Sequence, residues 1–306
     1  MKNYNRIFWK RGLDITPEIL IESDNYNTYQ CNIIRKISTL QSYGILPGNN
    51  FSVEPIINND ILSIRKLNCS AITPQGYLID INSPIPLNEI KLYECTNEDH
   101  YVILTVQPYT IESVDESMSF ARPKYDVEIK ETRKEIETGI PILKICRIKK
   151  CWEIDRDYIP PSVSLCSHKN LTRKYEEIVN KIDTISKKLS GDDLTSLQIK
   201  LLEVELKNCS LYEFPLELVK LLKKIMAIIE LYFQKILNIN ELVYVKDFIE
   251  KKYNHNEIAV ILTLCIDCLD VISQKLEEKP EPEPTPKLEV KEPEKIEIEE
   301  ELLDII

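Results

Sequence analysis

The residues best suited to chemistry are two thiols, Cys265 and Cys268, set as Cys-Ile-Asp-Cys. A redox pair of this spacing works when its thiol sits at a helix N-terminus, where the dipole lowers the pKa. Here Ile258, Ile261, Leu262, Cys265, Leu269, Ile272 and Leu276 recur at helical spacing, so the pair falls mid-helix, with Cys265 inside the apolar row. Those neighbours favour packing over thiol exchange. Zinc would need two further ligands, yet His255 lies ten residues upstream and there is no second Cys-x-x-Cys. His100, His168 and His255 fall in different elements, and the six glycines form no Gly-x-Ser-x-Gly, phosphate-loop or dinucleotide pattern. The expectation is a protein that is not an enzyme, with no catalytic residues, metal site or cofactor.

The elements that would hold a different kind of site are clearer. Of 306 residues, 43% are hydrophobic, enough for cores in two modest domains. The net charge of −11 is concentrated at one end: residues 277–306 carry twelve acids and four lysines, which leaves the body near −3. With no basic stripe, nucleic acid and anionic membrane surfaces are poor partners. No apolar run reaches the roughly 18 to 20 residues of a bilayer span, and the opening residues do not read as a signal peptide, so a cytoplasmic location is expected. The nine cysteines, an odd number at no framework spacing, read as reduced small hydrophobes.

From residue 51 to about 155, short β-branched and aromatic runs alternate with Asn, Pro and Asp punctuation, as strands and turns do. Leu62 and Ile64 alternate in one parity while Leu67, Cys69 and Ala71 continue in the other, which predicts a β-bulge near Arg65 and Lys66. Thr73-Pro74-Gln75-Gly76 is a type I turn signature, and Tyr77, Ile79 and Ile81 resume the alternation, giving a hairpin. Further strands are expected at residues 91–95, 100–107, 125–130 and 142–153, for seven or more in an antiparallel sandwich or barrel. Residues 17–40 can carry a helix opened by Pro17 and Glu18.

After Tyr158-Ile159-Pro160-Pro161 the pattern turns helical; paired prolines continue neither ladder nor helix and predict an extended linker. Leu171, Tyr175, Ile178, Ile182, Ile185 and Leu189 then recur at steps of 4 and 3, a heptad seam expected to form a trimer interface. Gly191, with Asp192 and Asp193, predicts a tight turn into a helix carrying Leu194, Leu197, Leu201 and Val204. Residues 215–237 and 256–276 complete a four-helix bundle, with residues 239–253 as an extra short helix. The expected fold class is α+β: a β-sandwich over residues 1–161, a helical bundle over 162–276 and a disordered acidic tail over 277–306. In that tail a Pro/Glu spacer precedes Leu302, Leu303, Ile305 and Ile306, which read as a short docking motif.

Phe8-Trp9-Lys10-Arg11-Gly12-Leu13-Asp14-Ile15-Thr16-Pro17-Glu18 resembles the N-terminal signature of the type VI secretion baseplate TssK (ImpJ, VasE) family, with Glu18 where glutamine is common. Ala71, Pro74, Gly76, Ile79 and Asp80 are similar to that family's next block. The proline pair 160–161 resembles the close of its first domain, and Pro215 the opening of a long apolar helix.

The resemblance implies a homotrimer with a β-sandwich shoulder akin to phage receptor-binding proteins, a helical neck and a C-terminal head. It also implies that the shoulder binds the wedge proteins TssF and TssG and that the head binds the membrane complex. This sequence is expected to lack the head, so any link to an anchoring complex would fall to the tail or to another protein. Trp9, Gly12, Leu13, Ile15 and Pro17 are the expected wedge contacts. The alternatives are an acidic-tailed chaperone, a phage-type tail adaptor or receptor-binding protein, and, as the enzyme option, a Cys265/Cys268 thiol oxidoreductase.

Overall fold

The computed structural model describes residues 4–38, 42–48, 51–82, 85, 87–95, 97–113, 121–131, 139–189, 194–236 and 242–277. The chain opens with α1 (Pro17–Ser38), which starts where Thr16 Oγ accepts from the Ile19 amide. Two antiparallel sheets follow. In the first, β3 (Ile61–Ile72) is the hub and pairs with β1 (Gly44–Ile45), β2 (Ser52–Asn58), β4 (Leu78–Ile81) and β5 (Ile90–Lys91). The second runs in the order β7 (Ala121–Lys130), β6 (Asp99–Ser113), β8 (Gly139–Ile148), β9 (Cys151–Ile154).

The expected bulge is present. Glu54 faces Lys66 and Pro55 faces Ile64, so Arg65 is the extra residue that lets Leu62 and Leu67 both turn inward despite their opposite parity. In the expected hairpin the Gly76 amide donates to the Thr73 carbonyl at 2.9 Å. Gly76 has φ +88, and a Cβ there would lie 2.3 Å from the Asn32 carbonyl of α1, so both the turn and the approach of that helix exclude a side chain.

Two strand expectations are corrected. Residues 92–94 form a 3₁₀ turn after the two-residue β5, with Leu92 buried and its amide donating to the Asp60 carbonyl. Residues 142–153 are not one strand but the β8–β9 hairpin, turned by Lys149 and Lys150 at φ +49 and +71. Lysine gives no turn signal, and left-handed backbone costs a non-glycine residue roughly 1 kcal/mol, so this turn is held by the strands on either side. Inward side chains of both sheets, Leu62, Cys69, Ile79 and Ile81 with Val102, Leu104, Ile140 and Ile145, share one apolar cluster.

The second half is helical: α2 (Lys169–Lys188), α3 (Leu194–Lys207), α4 (Pro215–Ile236), α5 (Val243–Glu250) and α6 (Ile258–Glu277), around a second cluster. Helices α2 and α6 run parallel and are stitched by Lys174 to Thr263, Lys181 to Asp270 and Lys188 to Glu277. The step is seven residues on both helices, so the same face is presented each time. Gly191, Asp192 and Asp193 lie outside the described residues.

Pro160 and Pro161 are buried, and this stretch is pinned rather than loose. The Ile45 amide donates to the Pro161 carbonyl at 2.8 Å, and the Val163 amide returns to the Ile45 carbonyl at 2.9 Å. No helix among the described residues is long and apolar enough to cross a membrane.

Candidate functional site

Cys265 and Cys268 sit inside α6, fully buried. Burial pushes the Cys265 thiol well up, and Cys268, also raised by burial and by Asp267 and Asp247, reaches about 11. Cys268 Sγ donates to the Tyr244 carbonyl at 3.2 Å. A nucleophilic thiol needs the opposite shift. No cluster of three metal-ligating side chains occurs among the described residues. The histidines are in structural positions: His100 packs edge-on against Trp152, His168 caps α2 by accepting from the Asn170 amide, and His255 bonds the backbone of Tyr43.

Uncovered apolar surface is the more informative feature. The α2 row of Leu171, Tyr175, Ile178, Ile182, Ile185 and Leu189 is not available to sister copies: every member is buried within the protomer, between α3, α4 and α6. The expected trimer seam there is corrected. The largely polar and charged residues between its members keep the opposite side of α2 wet, so the row turns inward once α3 and α6 pack against it.

The row left outside belongs to α3. Leu194, Leu197, Leu201 and Val204 are exposed by 72, 51, 70 and 56%, while Ser196, Ile199 and Leu206 of the same helix are buried. Steps of 3, 4 and 3 give this outer row the a/d pattern of a coiled coil. The signal was present in the sequence, but the longer α2 row carried the same spacing and only packing separates them.

A second uncovered region lies at the N-terminal segment and α1. Phe8, Trp9 and Ile15 are exposed, as are Leu20, Ile21, Ile34 and Ile37 on the helix. Gly12, at φ +84, turns the segment with the Leu13 amide donating to the Lys10 carbonyl; Leu13 is half-buried and Pro17 opens α1. Tyr4 anchors the segment by stacking on Tyr109 of β6 at 4.4 Å and meeting Tyr29 of α1 at 6.2 Å. The α1 positions were missed in the sequence because its polar residues obscure any stripe. Leu302, Leu303, Ile305 and Ile306 lie outside the described residues.

Known proteins place this architecture. The family model described as bacterial type VI secretion, EvfL, ImpJ, VasE matches residues 105–206, from β6 through α3. The fold matches a chain of the type VI TssK-TssF-TssG baseplate subcomplex with a TM-score of 0.63 at 15% identity, covering 91% of this chain and 100% of that one. The fold is that of TssK structures. TssK from EAEC in complex with a nanobody matches with a TM-score of 0.62 at 12% identity, over 84% of this chain and 69% of that one. A crystal structure of TssK gives 0.61 at 11% identity, over 88% and 69%. No curated protein matches the sequence significantly. The match to the family model spans the second sheet, the proline junction and the first two helices of the second half, which is the region joining the two apolar clusters.

Proposed function

We propose that this chain is a structural component of a type VI secretion baseplate, acting in the bacterial cytosol as a homotrimeric adaptor. Residues 1–161 form the β-sandwich shoulder, residues 162–276 the helical-bundle neck and residues 277–306 an acidic tail. The exposed α3 row carries this reading. Four large apolar side chains in heptad register on one open helix face are costly in water, each worth about 1.5 to 3 kcal/mol when covered, and three copies sharing a parallel seam would cover them all.

The N-terminal segment, with Trp9, Leu13 and Ile15 on the turn made by Gly12 and Pro17, is the surface offered to wedge proteins of the TssF and TssG kind. Its support is exposure beside a firmly anchored base at Tyr4 and Tyr109. The link to an anchoring complex would fall to the tail. Light scattering tests the assembly: the wild-type chain should give three times the chain mass at micromolar concentration. A monomer at that concentration would remove the adaptor reading, as would co-purification with no wedge protein encoded beside it.

A further inference from the structure

A groove of about 330 Å³ lies where the two halves meet, and neither the α3 seam nor the N-terminal patch uses it. One wall is β2 with the residue before it: Phe51, Val53 and Pro55 line the groove at alternate positions. The facing wall includes Ile142 of β8, and the rim carries Arg156 and Lys169. Both cations are exposed and neither forms an ion pair with a described residue. Asp155 is the one carboxylate on the lining, and the positive end of α2 opens onto the same place. β2 pairs with β3 alone, so its other edge has no strand beside it among the described residues. An apolar trough with an edge strand, a basic rim and a helix N-terminus suits a segment that alternates apolar residues with acids.

We propose that the occupant is this chain's own C-terminal segment, residues 294–306, bound to the groove of the same copy. That segment holds six acids against one lysine, interleaved with Ile296, Ile298, Leu302, Leu303, Ile305 and Ile306. Its apolar side chains enter beside Val53 while its carboxylates meet Arg156 and Lys169. The path is the right length. Glu277, the end of α6, is held against Lys188 at the C-terminal end of α2, with Nζ 2.7 Å from Oε1. The groove is at the other end of that helix, about 28 Å away at 1.5 Å per residue. The spacer of residues 278–293 can extend to about 50 Å at 3.1 Å per residue, so it reaches with slack. A tether of this kind sets an effective concentration of order millimolar, enough to fill a weak site. An outside partner of the tail must then displace it from the groove.

The test is zero-length carbodiimide coupling on the full-length chain, with linked peptides identified from each band of a denaturing gel. Lys169 should couple to carboxylates of residues 297–304 in the single-chain band. The double variant Ile305→Asp and Ile306→Asp should lower that yield at least fivefold although it adds carboxylates, and Val53→Asp should do the same with unchanged circular dichroism. No Lys169 product, a yield unmoved by the tail variant, or a product found only in the two-chain band would overturn the proposal. The last result would assign the groove to a sister copy. Light scattering on the same samples reads the oligomer separately, so loss of the trimer and loss of tail docking are distinguishable.

Discussion

The imidazole of His255 donates from Nε2 to the backbone carbonyl of Tyr43, 212 positions earlier in the chain, and its Nδ1 accepts from the Tyr253 hydroxyl at 2.8 Å. Tyr43 in turn donates from its hydroxyl to Asn256 Oδ1 at 2.7 Å. Both ring nitrogens of a neutral imidazole are thus used, and the strand side of the molecule is tied to the start of α6 through His255 and Asn256. Burial pushes the His255 pKa down, and the carbonyl of Tyr43 only partly opposes it. His168 behaves alike at the start of α2, where burial and then Lys169 bring it down to about 4.

Both histidines therefore make stability pH-dependent in the same sense. Each has a folded pKa below its unfolded value of about 6.5, so the unfolded chain takes up protons first. Their contribution is complete above pH 6.5 and declines as pH falls toward the folded pKa values. Urea midpoints should be level between pH 7 and 8 and drop from pH 6.5 to 4. His168 alone accounts for about 3 kcal/mol by the linkage relation. His168→Gln, which still offers an acceptor for the cap, should flatten part of that slope; an unchanged slope would assign it to carboxylates.

Gly44 and Gly12 make a controlled pair of substitutions. Both have positive φ, +111 and +84. A Cβ at Gly44 would fall 1.9 Å from the Pro161 carbonyl oxygen, whereas at Gly12 it meets nothing within 4 Å. Gly12→Ala should cost only the backbone term, about 1 kcal/mol. Gly44→Ala must also push the pinned proline junction away and should cost upward of 2 kcal/mol, breaking the two hydrogen bonds at Ile45. Thermal melts of the two variants should separate by several degrees.

The two heptad rows should respond differently to charge. Leu197→Glu with Leu201→Glu on α3 touches only exposed positions, so the fold should persist while the mass by light scattering falls to one chain. Ile182→Asp on α2 places an unpaired carboxylate in a fully buried site and should cost 3 kcal/mol or more, lowering the urea midpoint well before any change in assembly can be read. A trimer that survives the α3 pair would move the seam elsewhere.

How far the sequence could be read follows from what each signal measures. The parity slip between Ile64 and Leu67 reported a bulge because a strand has two faces and only one core; the register shift at Arg65 is that statement in coordinates. Thr73 to Gly76 was legible for the same local reason. The Lys149–Lys150 turn was not, since nothing in lysine marks a left-handed backbone and the strands impose it. The choice between α2 and α3 as the open row also lay beyond periodicity. Spacing says that a face is apolar, and only the positions of α4 and α6 decide whether that face meets a neighbour or water. The same limit applies to Trp9: its type suited a core, yet its segment sits outside both clusters, tied down through Tyr4.

The thiols offer a last check on the fold and on the packing role of Cys265 and Cys268 together. Cys31 and Cys151 are exposed, Cys69, Cys265 and Cys268 are buried, and the other four are intermediate. Burial raises Cys95, and together with a hydrogen bond to Asp99 it brings Cys146 to about 11. Cys209, raised by burial and by Glu213, reaches about 12. Reactivity follows the thiolate fraction and access, so a disulfide reagent at pH 8 should titrate Cys31 and Cys151 in the fast phase. Cys265 and Cys268 should react only on unfolding, at a rate set by the denaturant rather than by reagent concentration. Cys265→Ala with Cys268→Ala should leave the fast phase and the assembly unchanged and cost about 1 to 3 kcal/mol in stability through lost packing. A fast-reacting Cys268 would instead mean that α5, whose Tyr244 carbonyl accepts its hydrogen bond, opens away from α6.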